Sequence, residues 1–174
     1  MNTKENPSYS RSRTRQTIKF CEIPEGVTVL DIAAPNMLSR EMADKKSISV
    51  INTVSDLDYE ITPDSTLLNK FDYVTCFEVI EHLLNPRLFF DNLHNVTTDN
   101  AVVYLSYPSR YKWLWNDQEH FHEYDKQRFK YLLDKTGWAI VESKSIYVRR
   151  NPFGIRPIIR NFLPQTGIYK LIKR

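Results

Sequence analysis

Residues 71–83, FDYVTCFEVIEHL, limit the fold more than any other stretch of this chain. Positions 71–77 are dominated by aromatic and β-branched residues, which suit a strand, and 78–84 read as a short helical segment with no glycine or proline separating the two. A strand that runs directly into a helix belongs to a sheet made of crossover connections, because parallel neighbours need a helix between them.

The remaining elements keep that order. Residues 28–33, TVLDIA, form a short apolar run after the turn-like Pro24-Glu25-Gly26, and suit a buried strand that ends on an acid and small residues. A helix is expected over 38–45, and 47–53 alternates as a second strand does. Pro86 can occupy a first helical turn, after which Leu88, Phe89, Leu93 and Val96 recur at helical spacing. Strand is expected over 101–106. Further on, Asp125 is a plausible N-cap, Phe129, Leu132 and Leu133 share a helical face, Gly137 is the expected C-cap, and 138–147 read as strand. The pattern predicts an α/β three-layer sandwich with a mainly parallel sheet, a ligand cleft at the strands' carboxyl ends, and one domain over 21–174 preceded by a basic extension, 1–20.

Composition excludes several classes. A hydrophobic share of 41% with 26% charged residues is globular rather than disordered. Cys21 and Cys76 lack any paired or Cys/His ligand spacing, so they read as small buried hydrophobes in a reducing compartment. No stretch approaches the ~18 apolar residues of a membrane span, and the start has no apolar leader, so the protein is expected to be cytoplasmic. Lys4, Arg11, Arg13, Arg15 and Lys19 precede the first strand, and no Asp or Glu follows Glu142. Basic ends attract anionic partners non-specifically, but no nucleic-acid module accompanies them and nucleic acid is not an expected partner. Arg156, Ile158, Ile159, Arg160, Phe162 and Leu163 would suit a short helix at a membrane interface, limited by Pro157 and Pro164.

Three stretches together resemble the class I S-adenosylmethionine-dependent methyltransferases, particularly their small-molecule type. Residues 71–83 are similar to that family's F-D-x-V-x-x-x-x-V-x-E-H-L segment, 29–32 to its V-L-D strand, and 120–137 to its later H-x-x-x-Y/F…L-L-x-x-x-G-W/F helix. The resemblance covers roughly 27–148, and 167–173 could be the antiparallel strand that closes the family's Rossmann-like sheet. It implies S-adenosylmethionine as cofactor, a small-molecule or glycan acceptor, and cofactor contacts from Asp31, Ala33, Asn36, Asn52, Phe77 and Glu78.

One motif departs from the family. The glycines of its D-x-G-x-G-x-G turn are replaced by Ala33, Pro35 and Met37, and Pro35 can neither take positive φ nor donate an N–H. Asn36 alone could turn left-handed at modest cost. The acid that would bind the ribose is replaced by Asn52, and 53–70 is too compressed for a full third strand. A scaffold that lost its cofactor and became a binding or assembly module is the alternative reading.

Methyl transfer mainly requires positioning, with a general base where the acceptor is a hydroxyl or protonated amine. His82, His120 and His122 are the candidate bases, against ordinary packing or capping roles for each. The H-x-H spacing of His120 and His122 could ligate metal in an extended strand, but further ligands are not evident and no metal is expected. Tyr107, Trp113 and Trp115, beside Tyr111, Arg110 and Lys112, are candidates for an acceptor pocket or for closing the core.

Overall fold

The structure, a computed structural model, describes residues 7–64, 70–108, 120–147 and 166–174, with side chains from residue 11 onward. The chain forms α1 (Pro7–Phe20), β1 (Thr28–Asp31), α2 (Met37–Lys46), β2 (Ser49–Asn52), β3 (Phe71–Phe77), a 3₁₀ turn (Ile80–His82), α3 (Pro86–Val96), β4 (Thr97–Pro108), α4 (Lys126–Lys135), β5 (Trp138–Ile146) and β6 (Thr166–Lys173).

One six-stranded sheet runs β2-β1-β3-β4-β6-β5. Its first four strands are parallel, and β6 enters antiparallel between β4 and β5. Among the described residues of 53–70 there is only an isolated bridge between Thr53 and Pro63, so β2 is the edge strand.

Side-chain alternation divides the core between the two faces of the sheet. Leu30, Val74, Val103 and Leu105 point to one face, where Phe89, Phe90 and Leu93 of α3, Phe129 and Leu133 of α4, and Trp138 cover them. Val29, Tyr104 and Ile168 point to the other, against Met42 of α2 and Ile18 and Phe20 of α1. This is the expected three-layer arrangement.

Local signals decide the helix ends. Asn85 caps α3 with Pro86 in its first turn, and the Asp125 carboxylate accepts from the amides of Gln127 and Arg128 at the start of α4. Gly137 takes φ +74° just past α4. At the end of α2 Ser47 takes the left-handed conformation, φ 51°, so β2 begins later than the alternation implied.

Two stretches differ from the sequence reading. Within the basic extension, α1 lays Thr14, Thr17 and Ile18 along one buried side, and Phe20 packs edge-to-face on Tyr104. The segment after β3 is shorter than the helix expected over 78–84: Glu78 breaks the strand at φ 55°, and a single 3₁₀ turn follows. Residues 150–163 of the basic tail lie outside the described residues.

Candidate active site

A cavity of about 270 Å³ opens at the carboxyl ends of β1 and β3, beside α1. Arg13, Thr14 and Thr17 form its α1 side, Ala33, Asn36, Met37 and Leu38 come from the β1–α2 connection, and Asp31, Phe77, Glu78 and Ser106 complete it. The wall is apolar in part and carries two carboxylates.

Asp31 ties the floor together. Its carboxylate accepts from Thr75 Oγ1 at 2.7 Å, Asn52 Nδ2 at 3.2 Å and Asn36 Nδ2 at 3.4 Å. Burial still dominates, pushing its pKa up from 3.8 to about 6 because the charged form is poorly solvated there. The folded chain therefore holds a proton that the unfolded chain releases, so this contribution to stability is full below about pH 4 and lost as pH rises through about 6. The shift corresponds to roughly 3 kcal/mol. In urea denaturation, the stability of the wild type minus that of Asp31→Asn should fall across this window; a difference independent of pH would contradict the assignment.

The connection 33–37 is built without glycine and without positive φ, since Ser47 and Glu78 are the non-glycine residues in that region among those described. Asn36 does not turn left-handed. It stays extended (φ −139°, ψ 175°) as the N-cap of α2, accepting from the Ser39 amide while Ser39 Oγ receives its N–H. Its amide nitrogen also reaches the Ala34 carbonyl and Asp31. Asn52 donates to the Ala33 carbonyl at 3.0 Å as well as to Asp31, so it braces the connection from behind and does not line the cavity.

Glu78 stands at the cavity rim in a strained conformation for a residue with a Cβ. Ser106 Oγ donates to its carboxylate at 2.9 Å, and Arg13 of α1 pairs with it at 3.3 Å. Replacing Glu78 by glycine should relieve about 1 kcal/mol of backbone strain while removing both contacts. The expected outcome is a protein whose melting temperature is unchanged or raised and whose ligand affinity is reduced. A lowered melting temperature with intact affinity would refute it.

The histidines gather beyond β3. His82 and His120 pack edge-to-face with ring centroids 4.7 Å apart, and His82 Nε2 lies 4.0 Å from the Glu81 carboxylate. The His122 amide donates to the Glu81 carbonyl at 3.1 Å. Glu81 itself is 1% exposed.

Of the expected cofactor contacts, Asp31, Ala33, Asn36, Phe77 and Glu78 line the one cavity and Asn52 sits behind it. Tyr107 is in the core, stacked on Tyr169 with the two hydroxyls 2.7 Å apart, and burial pushes its phenol pKa up. Trp113, Trp115, Tyr111, Arg110 and Lys112 lie outside the described residues. Both cysteines are free and buried, and burial raises the Cys21 thiol to about 12, which suits packing rather than nucleophilic chemistry. Sequence reasoning missed Arg13, Thr14 and Thr17, although the spacing of Thr14, Thr17, Ile18 and Cys21 marks one face of a helix.

A parallel half-sheet, an inserted antiparallel strand and a cavity at the strands' carboxyl ends define a Rossmann-like fold of the methyltransferase type. A family model described as a methyltransferase domain matches residues 11–143, and the chain belongs to that family. The ubiquinone biosynthesis O-methyltransferase of Glaesserella parasuis serovar 5 (strain SH0165) is 28% identical over 82 residues, 46% of this chain; the match spans about a third (35%) of that protein's length. A putative methyltransferase of Haloferax volcanii, solved in complex with the Trm112 methyltransferase activator, superposes with a TM-score of 0.74 at 13% identity, covering 96% of this chain and 92% of that one. A SAM-dependent methyltransferase of Archaeoglobus fulgidus superposes at 0.65 with 16% identity, covering 95% and 93%. At these identities the superpositions establish the fold. No helix among the described residues is long and apolar enough to cross a membrane.

Proposed function

We propose that this chain is an S-adenosylmethionine-dependent methyltransferase acting on a hydroxyl of a small-molecule or glycan acceptor. The open cavity beside Asp31 and Phe77 carries the reading, because a scaffold that had given up its ligand would have filled that space with side chains. About 270 Å³ is just under the usual range for small-molecule sites, roughly 300–1,000 Å³. The chemistry of the wall fits the cofactor. Two carboxylates, Asp31 and Glu78, suit a ligand with cationic ammonium and sulfonium groups, Phe77 and Leu38 offer apolar surface, and Thr14, Thr17 and Ser106 add hydroxyls.

When bound, the cofactor supplies an electrophilic methyl group on a positively charged sulfur. A hydroxyl acceptor would take that methyl group and would have to give up its proton to a base of the protein. Asp31, Ala33, Asn36, Phe77 and Glu78 hold the cofactor and Asn52 keeps the connection in place, so that positioning supplies most of the rate enhancement. His82, His120 and His122 are the candidate bases for the acceptor proton. Trp113 and Trp115 are the acceptor-side candidates of this reading, while Tyr107 stays with the core. The distant O-methyltransferase relative supports an oxygen acceptor. The two free, buried thiols support a cytoplasmic setting.

The test is calorimetric titration with S-adenosylmethionine and S-adenosylhomocysteine, paired with thermal melts, since a ligand selective for the folded state must raise the melting temperature. Saturable binding with a rising melting temperature is expected. Absence of heat and of any shift at millimolar ligand would overturn the assignment in favour of an assembly module.

A further inference from the structure

We propose that Glu81, His82 and His120 form a binding site for a divalent transition-metal ion, distinct from the Asp31 cavity. The sequence offered only the H-x-H spacing of His120 and His122, and no metal was expected from it. The fold instead brings His120 to His82, and one carboxylate oxygen of Glu81 with one ring nitrogen of each histidine all lie within 4.8 Å of one another. Two imidazoles and a carboxylate are a donor set suited to Zn²⁺, Mn²⁺, Fe²⁺ or Co²⁺, leaving further positions for water or an acceptor oxygen.

The geometry is close to what coordination requires. Metal bonds of about 2.1 Å place tetrahedral ligand atoms roughly 3.4 Å apart, so the donors need to close by up to about 1.4 Å. His82 can make that adjustment, because its side chain is 40% exposed and it ends a single 3₁₀ turn. Glu81 is already fixed: it is 1% exposed, and its carbonyl receives the His122 amide at 3.1 Å. A buried carboxylate beside two imidazoles is an arrangement that a divalent ion can share among its ligands. A second feature beside the cluster points the same way. His122, whose backbone amide donates to the Glu81 carbonyl, has a buried Nε2 with no hydrogen-bond partner among the described residues.

The full chain, stripped of metal with a chelator, should be titrated with Co²⁺ without cofactor and followed by visible absorption, with Zn²⁺ thermal melts in parallel. We expect saturation at one equivalent, ligand-field bands without thiolate charge-transfer absorption, a melting temperature raised by Zn²⁺, and displacement of Co²⁺ by Zn²⁺. His82→Ala and His120→Ala should each weaken Co²⁺ binding by at least the roughly 10–100-fold that loss of a supporting group near a metal costs. His82 ends a single 3₁₀ turn, His120 lies outside helices and strands, and both are partly exposed, so circular dichroism should show these variants folded. Should one fail to fold, Glu81→Gln supplies the same comparison with shape retained. Absent bands, sulfur charge-transfer bands, or unchanged Co²⁺ affinity in the variants would each overturn the site. These readouts are independent of methyl transfer, so failure here leaves the cofactor assignment untouched, and the converse holds.

Discussion

Replacing Asp31 by alanine should reduce S-adenosylhomocysteine affinity by at least ~100-fold, about 2.7 kcal/mol, when measured by calorimetry above pH 7. The size of the effect follows from what the carboxylate holds. Asn36 and Asn52 both donate to it, and these amides also fix the Ala34 and Ala33 carbonyls, so its loss frees the whole 33–37 connection as well as removing a negative charge from the wall. Stability should change less. The variant leaves the buried Thr75 hydroxyl without its 2.7 Å acceptor, at a cost of about 1–3 kcal/mol, but it also removes a carboxylate whose ionisation is disfavoured by burial. These terms oppose each other at neutral pH. Affinity of the wild type should rise as pH increases through about 6, where Asp31 ionises, and then level off. Affinity of the alanine variant within about threefold of wild type would remove Asp31 from the site.

Phe20→Ala should cost about 3–5 kcal/mol of folding stability, a large share of the roughly 5–15 kcal/mol available to a domain. Phe20 is 6% exposed and meets Tyr104 edge-to-face at 6.1 Å, and the Tyr104 hydroxyl is held by both the amide and the carbonyl of Glu22. Removing the ring therefore opens a cavity under the end of α1 that the anchored chain cannot easily collapse. Ligand affinity should fall as well, because Arg13, Thr14 and Thr17 of the same helix form one side of the cavity. Urea denaturation and calorimetry on one preparation read both effects. A stability loss under about 0.5 kcal/mol would mean that 7–20 is an appendage to the domain, as its charge suggested.

That helix shows why the site was only partly legible. Its buried side is made of two threonines, one isoleucine and the terminal Phe20 among arginines and a lysine, so hydrophobic periodicity is weak and charge dominates the reading. The cavity-side residues of β1 and β3 were legible because they end strands whose apolar runs announce themselves, and the ligand cleft of such a sheet lies at those ends. Asn36 was legible as special but not in its role. It solves the problem of a glycine-free turn by capping α2, which requires no left-handed backbone.

The sequence by itself determined the order of strands and helices from β1 onward, Pro86 in the first turn of α3, the cap Asp125, the left-handed Gly137, the buried inertness of the cysteines and the family, because each rests on composition or spacing within a few residues. Only the tertiary structure decided that Asn52 braces Ala33 rather than lining the cavity, that Tyr107 stacks on Tyr169 in the core, that α1 walls the cavity, and that His120 meets His82 rather than acting with His122. Those contacts join side chains far apart along the chain. They are set by the register of β1 with β2 and of β4 with β6 and by the bend after β3, and local sequence carries no record of which distant partner a side chain will meet.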